Sequence, residues 1–422
     1  MLIYTPVITS RIEYIMKIMI GKLLLTDYEI TDDFNYYSNY RDIKFAYCHD
    51  SIEGINFSPA SILFETNIIR QDIVPVKWDD YKLFFPVKDS IFSFDPFAVG
   101  FYLITRYEEY HTDNKKDAHG RFDITNAVSF QHGFYRIPLV NILSNEIGKV
   151  LKSHFSHYEL PKQTFNQIDT YDVDIAFQYK GKGGIRFIGS LAKSIISGNF
   201  EKTKKLLLSL LGKNVEDKFD TYELHRQRAI QRNSRPIHFI LTAPFGKFDR
   251  NISPHSKAFA DLIQQLSQFS DVGLHPSYYS SVKPELLKKE KALLENKLGL
   301  SITKSRQHYL RFEFPDTFNH LIENGIEEDY SLGWPNEVGF RASISIPFPF
   351  FDLTRNIETR LLLHPLTIMD GALDSICSDE KEKNEIINFI TNEIKKSGGE
   401  MVILRHNSYS NSNSGFISGS TF

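Results

Sequence analysis

Cysteine is nearly missing from this chain, with two among 422 residues, Cys48 and Cys377. They stand far apart and neither belongs to a Cys-x-x-Cys pair, which excludes a disulfide framework and a cysteine-rich zinc site. Long hydrophobic runs are missing too: no stretch reaches the roughly 20 apolar residues that span a bilayer. The first residues, "MLIYTPVITSRIEYIMKIMIGKLLL", are interrupted by Arg11, Glu13, Lys17 and Lys22. That pattern lacks the basic start, clean apolar run and small-residue cleavage site of a secretory signal. The expected address is therefore the cytoplasm. An excess of charge is also missing, because 49 Lys and Arg face 52 Asp and Glu for a net charge of -3. No global field attracts nucleic acid. No internal repeat is found.

What is present is ordinary for a globular protein, with 41% apolar and 24% charged residues. Aromatics are plentiful, 34 Phe and 21 Tyr, which suits carbohydrate binding and also suits a core. The pattern changes near Leu160-Pro161, so two domains are expected, residues 1–160 and 161–422. In the first, short apolar runs such as "DIKFAYCH" and "ASILFET" accompany helical patterns in "SRIEYIMKIMIGKLL", "FDPFAVGFYLITRYEEY" and "IPLVNILSNEIGKVLKSHF". This predicts a small α/β or α+β unit. In the second, strand-like runs alternate with capped helical segments. They begin with "QTFNQIDTYDVD" and "RPIHFILTAP", continue through "TRLLLHPLTIMD" and end with "EMVILRHN". Alternation of this kind means parallel strands joined by right-handed crossovers. Seven or eight of them predict an α/β fold built as a deformed (β/α) barrel. The tail "NSYSNSNSGFISGSTF" is low in complexity.

The polar residues of these runs fall at one end. Asp172 and Asp174 close the first run and His275 the third; Arg306 and His308 come late in the fourth and Asp329 late in the fifth. Asp370 and His406 end the last two. The C-terminal ends of barrel strands converge on one face, where active sites are built. Taken singly, each has an ordinary explanation: an aspartate capping a loop, a core histidine, a solvated arginine. His364, in the middle of "LLLHPL", is read as structural. Together they predict a site. Asp174, His275 and His308 form a carboxylate-plus-two-histidine set suited to a catalytic divalent ion, zinc above all. A second carboxylate nearby can act as general base and a distal histidine as general acid, with Arg306 holding the base ionised. Asp329, Arg341 and Asp370 are expected to line the same mouth and to contact either substrate or the side chains that orient the site.

The motifs of this half resemble those of the polysaccharide deacetylases, the NodB homology domain of carbohydrate esterase family 4. "TYDVD" is similar to the family's first motif and "GLHPSYYS" stands where its histidine motif falls. "SRQHYL" is similar to its arginine motif, "DYSLGW" to the fourth and "VILRHN" to the last. "FDPFAVGFYLITRYEEY" and "DAHGRF" resemble the N-terminal segments of a bacterial branch of that family. The resemblance implies a metal-dependent hydrolase that removes an N-acetyl or O-acetyl group from a sugar of envelope polysaccharide. It implies Asp172 as base, His406 as general acid and His275 as the first histidine ligand. Two positions depart from the family pattern. Val173 replaces the metal-binding aspartate that follows the base, and Tyr279, expected at the substrate, replaces the second histidine. Loss of catalysis, with the barrel kept as a carbohydrate-binding or assembly module, is the alternative.

The expected partner is a glycan or a lipid-linked sugar. Between Gly181 and Lys213 lies an insertion after the first barrel strand, basic and amphipathic. It is read as two short helices on the barrel rim, or as a surface for peripheral contact with an inner membrane.

Overall fold

In the computed structural model, residues 1–50, 52–182, 184–213 and 215–408 are described. All but the first two residues of the low-complexity tail lie outside them. Four short parallel strands open the chain: β1 (Leu2–Tyr4), β2 (Glu29–Thr31), β3 (Lys44–Tyr47) and β4 (Asn56–Phe57), in the order β2-β1-β3-β4. A hairpin, β5 (Val76–Trp78) and β6 (Tyr81–Leu83), follows. The helices of this part form where their sequence patterns place them, at Ser10–Met16, Pro96–Ile104 and Leu139–His154. Asp95 caps the second of these. Its Oδ1 accepts from the amides of Phe97 and Ala98, and Pro96 takes the first helical position. The apolar run "ASILFET" holds a 3-10 turn, Ser61–Leu63, and the first helix widens at Lys17–Leu23 into a π-helical run that buries Ile18, Met19 and Ile20.

The second part is one nine-stranded sheet. Its strands are β7 (Phe165–Val173), β8 (Ile237–Leu241), β9 (Asp271–His275), β10 (Lys304–Ser305), β11 (Glu328–Asp329), β12 (Phe348–Asp352), β13 (Ile357–Leu363), β14 (Leu366–Met369) and β15 (Gly399–His406). Their order is β12-β13-β11-β10-β9-β8-β7-β15-β14. All neighbours are parallel except β12, which runs antiparallel to β13. β13 and β14 are separated only by His364 and Pro365, yet β14 lies at the far edge of the sheet. The sheet must therefore curl until its ends meet, which gives a deformed barrel. The seam is bridged irregularly. Leu366 donates its amide to the Leu332 carbonyl at 3.0 Å, and Gly339 donates to that of Thr367 at 2.9 Å. The single run expected over "TRLLLHPLTIMD" is thus two strands, because Pro365 has no amide to donate to a ladder.

His364 is the polar plug of that seam. It lies 3.3 Å from Glu328 and 3.5 Å from Glu400, stacked on Tyr330 with ring centroids 4.2 Å apart. Burial lowers its pKa, but the two glutamates outweigh burial and raise it above the ordinary histidine value. A raised folded-state pKa gives stability that is complete below the unfolded value and lost as pH rises through the folded one. The unfolding free energy in urea should therefore be larger near about pH 6 than near about pH 9. His364→Gln should shrink that difference. An unchanged difference would remove His364 from the pH response.

One apolar core runs through both parts, from Ile3, Ile12 and Phe97 to Val173, Ile240 and Leu361. Tyr14 of the first helix packs on Phe351 with centroids 4.9 Å apart, and its hydroxyl donates to the Pro349 carbonyl.

Candidate metal centre

Side chains alternate along a strand, so Asp172 and Asp174 share a face while Val173 between them points into the core. The register of β7 and β15 sets His406 beside Asp172. His275 is the last residue of β9, and Arg306 follows β10 directly. His308 lies two residues further on. Its neighbours Tyr309 and Leu310 are both left-handed, at φ 63° and 50°. Two successive non-glycine residues in that region are held only where the surroundings force them.

These residues meet at the floor of a cavity of about 640 Å³. One ligand atom each from Asp174, His275 and His308 falls within a 4.8 Å span. His275 Nε2 is 3.1 Å and His308 Nε2 3.6 Å from Asp174 Oδ1. The second nitrogen of each ring fixes its tautomer. His275 Nδ1 is 2.6 Å from the Arg306 carbonyl, which can only accept. His308 Nδ1 is 2.8 Å from the Asp249 carboxylate. Each Nδ1 is therefore the donor, and in the neutral ring each Nε2 turns a lone pair toward Asp174. Asp174 Oδ1 is itself buried and receives no hydrogen bond from any described residue. Two lone pairs and an unsatisfied carboxylate oxygen facing one another fit a divalent cation.

The electrostatics agree. Burial raises the Asp174 carboxyl, but the charge of His308 and the nearby imidazoles hold it well below the ordinary carboxylate range. Burial lowers His308, and the carboxylates of Asp174 and Asp249 reverse this and raise it to about 9. A proton held that tightly marks a point of strong negative potential.

Asp172 sits beside this set, 3.7 Å from His275 Nε2. Arg306 donates to it at 3.0 Å and to the Thr170 hydroxyl at 2.7 Å. Across the floor, His406 Nδ1 bonds Asp370 at 2.7 Å, and Nε2 lies 3.8 Å from Asp174. Burial lowers His406, and Asp370, Asp174 and Asp172 raise it to about 10.

Asp370 stands behind His406 and holds its ring, one of the two placements expected of it. The other residues expected at the mouth lie elsewhere. Asp329 is fully buried and accepts from Ser305 and Ser331. Arg341 is drawn away from the mouth by Glu109, whose two carboxylate oxygens take its Nε and Nη2 at 2.9 and 2.6 Å. Burial would raise Glu109, but Arg341 and Arg106 together hold it below the ordinary range. Tyr279 is 45% exposed and packs edge-on to Phe248 outside the cavity lining.

Several residues in or behind the cavity wall carry no strand-end signal. Asp249, in the loop after β8, orients His308 and accepts the Tyr278 amide at 3.0 Å. From the first part of the chain, His119 bonds the Tyr278 hydroxyl at 3.1 Å and Arg121 donates to the Tyr309 carbonyl at 2.6 Å. Phe248, stacked on Tyr278 at 3.9 Å, and Tyr309 form an aromatic wall. Removing a group that orients a ligand typically costs 10–100-fold in metal affinity. Asp249→Ala should weaken zinc binding by about that much in competition with a chromophoric chelator. Unchanged affinity would make Asp249 a loop anchor only.

Residues 1–156 match a family of unknown function (DUF7033). No curated protein matches the chain. Among solved structures it is similar to a candidate polysaccharide deacetylase from Mycobacterium smegmatis, at 13% identity and a TM-score of 0.39, over 61% of this chain and 82% of that one. It is also similar to a polysaccharide deacetylase from Bacillus cereus, at 13% identity and a TM-score of 0.25, over 58% and 79% of the two chains. A third similarity is to the deacetylase domain of BpsB from Bordetella bronchiseptica, at 14% identity and a TM-score of 0.24, over 48% and 97%.

Proposed function

We propose that the chain is a metal-dependent hydrolase that removes an N-acetyl group from a sugar of a glycan. The observation that carries this reading is the convergence of Asp174, His275 and His308 within 4.8 Å, with Asp172 and His406 beside them on one cavity floor. A divalent ion held by those three residues would lower the pKa of bound water from about 15.7 toward about 7 and polarise a carbonyl. The chain's own groups supply the proton transfers. Asp172, oriented by the Arg306 guanidinium at 3.0 Å, takes a proton from water as the water oxygen adds to the acetyl carbonyl carbon. His406, held by Asp370, gives a proton to the sugar nitrogen as the carbon–nitrogen bond breaks. Acetate and a free amine result. The wall of Phe248 and Tyr309 offers apolar faces on which the C–H face of a sugar ring can pack. The motif resemblance in the barrel half points to the same chemistry.

The reading is tested by acetate release from p-nitrophenyl acetate and from N-acetylglucosamine oligomers, with protein stripped by chelator and protein reloaded with zinc. Release that depends on reloading is expected for both. Equal release by stripped and reloaded protein, or none from either substrate, overturns it.

A further inference from the structure

The insertion after β7 forms two helices, Gly184–Ile196 and Phe200–Leu210, that pack on each other as a hairpin. Ser194 and Thr203 bond across it at 2.9 Å. Its base is tied shut: Asp217, beyond the second helix, accepts from the amides of Gln178 and Tyr179 before the first. Lys180 pairs with Asp220 at the same point.

The outer face of this hairpin is apolar. In the first helix Ile188, Ile195 and Ile196 are 65%, 58% and 87% exposed. Their spacing of seven and eight residues puts them on one stripe, opposite buried Ser194. In the second, Phe200, Leu207 and Leu211 repeat the stripe at 81%, 44% and 72%. An isolated exposed leucine needs no explanation, but seven large apolar side chains on one excursion, these six and Leu210, do. Charge supplies the second observation. From Gly184 to Lys213 the sequence has six basic residues, Arg186, Lys193, Lys202, Lys204, Lys205 and Lys213, against one acidic residue, Glu201. That is a local net of +5 (6 − 1) in a chain whose total is -3. Glu201 and Glu216 both pair with Lys205. Lys193, Lys202, Lys204 and Lys213 face no acidic partner among the described residues. Apolar stripes flanked by unneutralised lysines complement a surface that is apolar below and negative above.

We propose that this hairpin docks the protein on an anionic lipid bilayer, with Ile196 and Phe200 at its tip entering the acyl boundary. The proposal is independent of the reaction, because it is read without turnover. The test is co-sedimentation of the full chain with phosphatidylcholine vesicles, with and without phosphatidylglycerol, at low and high salt. Binding is expected only to the vesicles with phosphatidylglycerol, and salt should release it. Each lysine near an anionic surface contributes about fivefold in affinity. Changing Lys193, Lys202 and Lys204 to glutamate should therefore lower binding by about a hundredfold or more. The double variant Ile196→Asp, Phe200→Asp should also lose binding while keeping the wild-type melting temperature, since both side chains are already exposed. Absence of binding at low salt, or wild-type binding by either variant, overturns the proposal. A dimer in sedimentation velocity that the double variant splits would mark the face as a contact between copies of this chain, and would overturn it equally.

Discussion

Replacing Asp174 with alanine is expected to leave the protein folded and unable to retain zinc. The side chain is 31% exposed, so the core loses little. The ligand set loses its one carboxylate, and with it the negative charge that draws His275 and His308 together. Two neutral imidazoles alone rarely hold a catalytic zinc ion, whose sites take three protein ligands. The variant should dialyse out of zinc-containing buffer with a metal-to-protein ratio near zero and an unchanged circular dichroism spectrum. Acetate release should fall by at least about a thousandfold, because water then keeps its ordinary pKa. The loss should far exceed that for Asp249→Ala, which leaves the three ligands in place. Stoichiometric zinc in Asp174→Ala would move the metal site away from this aspartate.

Asp172→Asn is expected to do the opposite to the metal and nearly the same to the chemistry. Asn has the same shape and keeps an oxygen for Arg306, so the 3.0 Å contact and the fold survive. It cannot take up a proton. Loss of a general base typically costs 10²–10⁴-fold, and kcat should fall by about that much with KM and zinc content near wild type. A variant that turns over at the wild-type rate would take Asp172 out of the reaction. One that loses zinc would recast it as a ligand.

Strand-end reasoning located most of this site because a parallel barrel converts sequence position into spatial position. Asp172, His275 and His406 each fall at the end of a strand, and the barrel brings such ends together. The same reasoning failed for Asp329, because a strand end fixes where a residue is and not which way its side chain turns; Arg341 ends no strand at all. Ser305 and Ser331 turn Asp329 inward. Glu109, more than two hundred positions earlier, captures Arg341. Asp249 went unseen since it stands well past the end of β8, in a loop whose path follows no periodicity. The two-residue strands β10 and β11 lay within longer apparent runs, and the 3-10 turn His308–Leu310 that sets His308 near His275 follows no strand periodicity.

His119 and Arg121 fasten Tyr278 and Tyr309, which follow His275 and His308 by three residues and by one. The loops carrying the two histidine ligands are therefore clamped by a stretch of chain that contributes neither ligand, base nor acid. Sequence drift in that stretch could retune the reaction without touching a reacting group. A fragment beginning at Pro161 would keep every one of those groups and lose the grip that aims them.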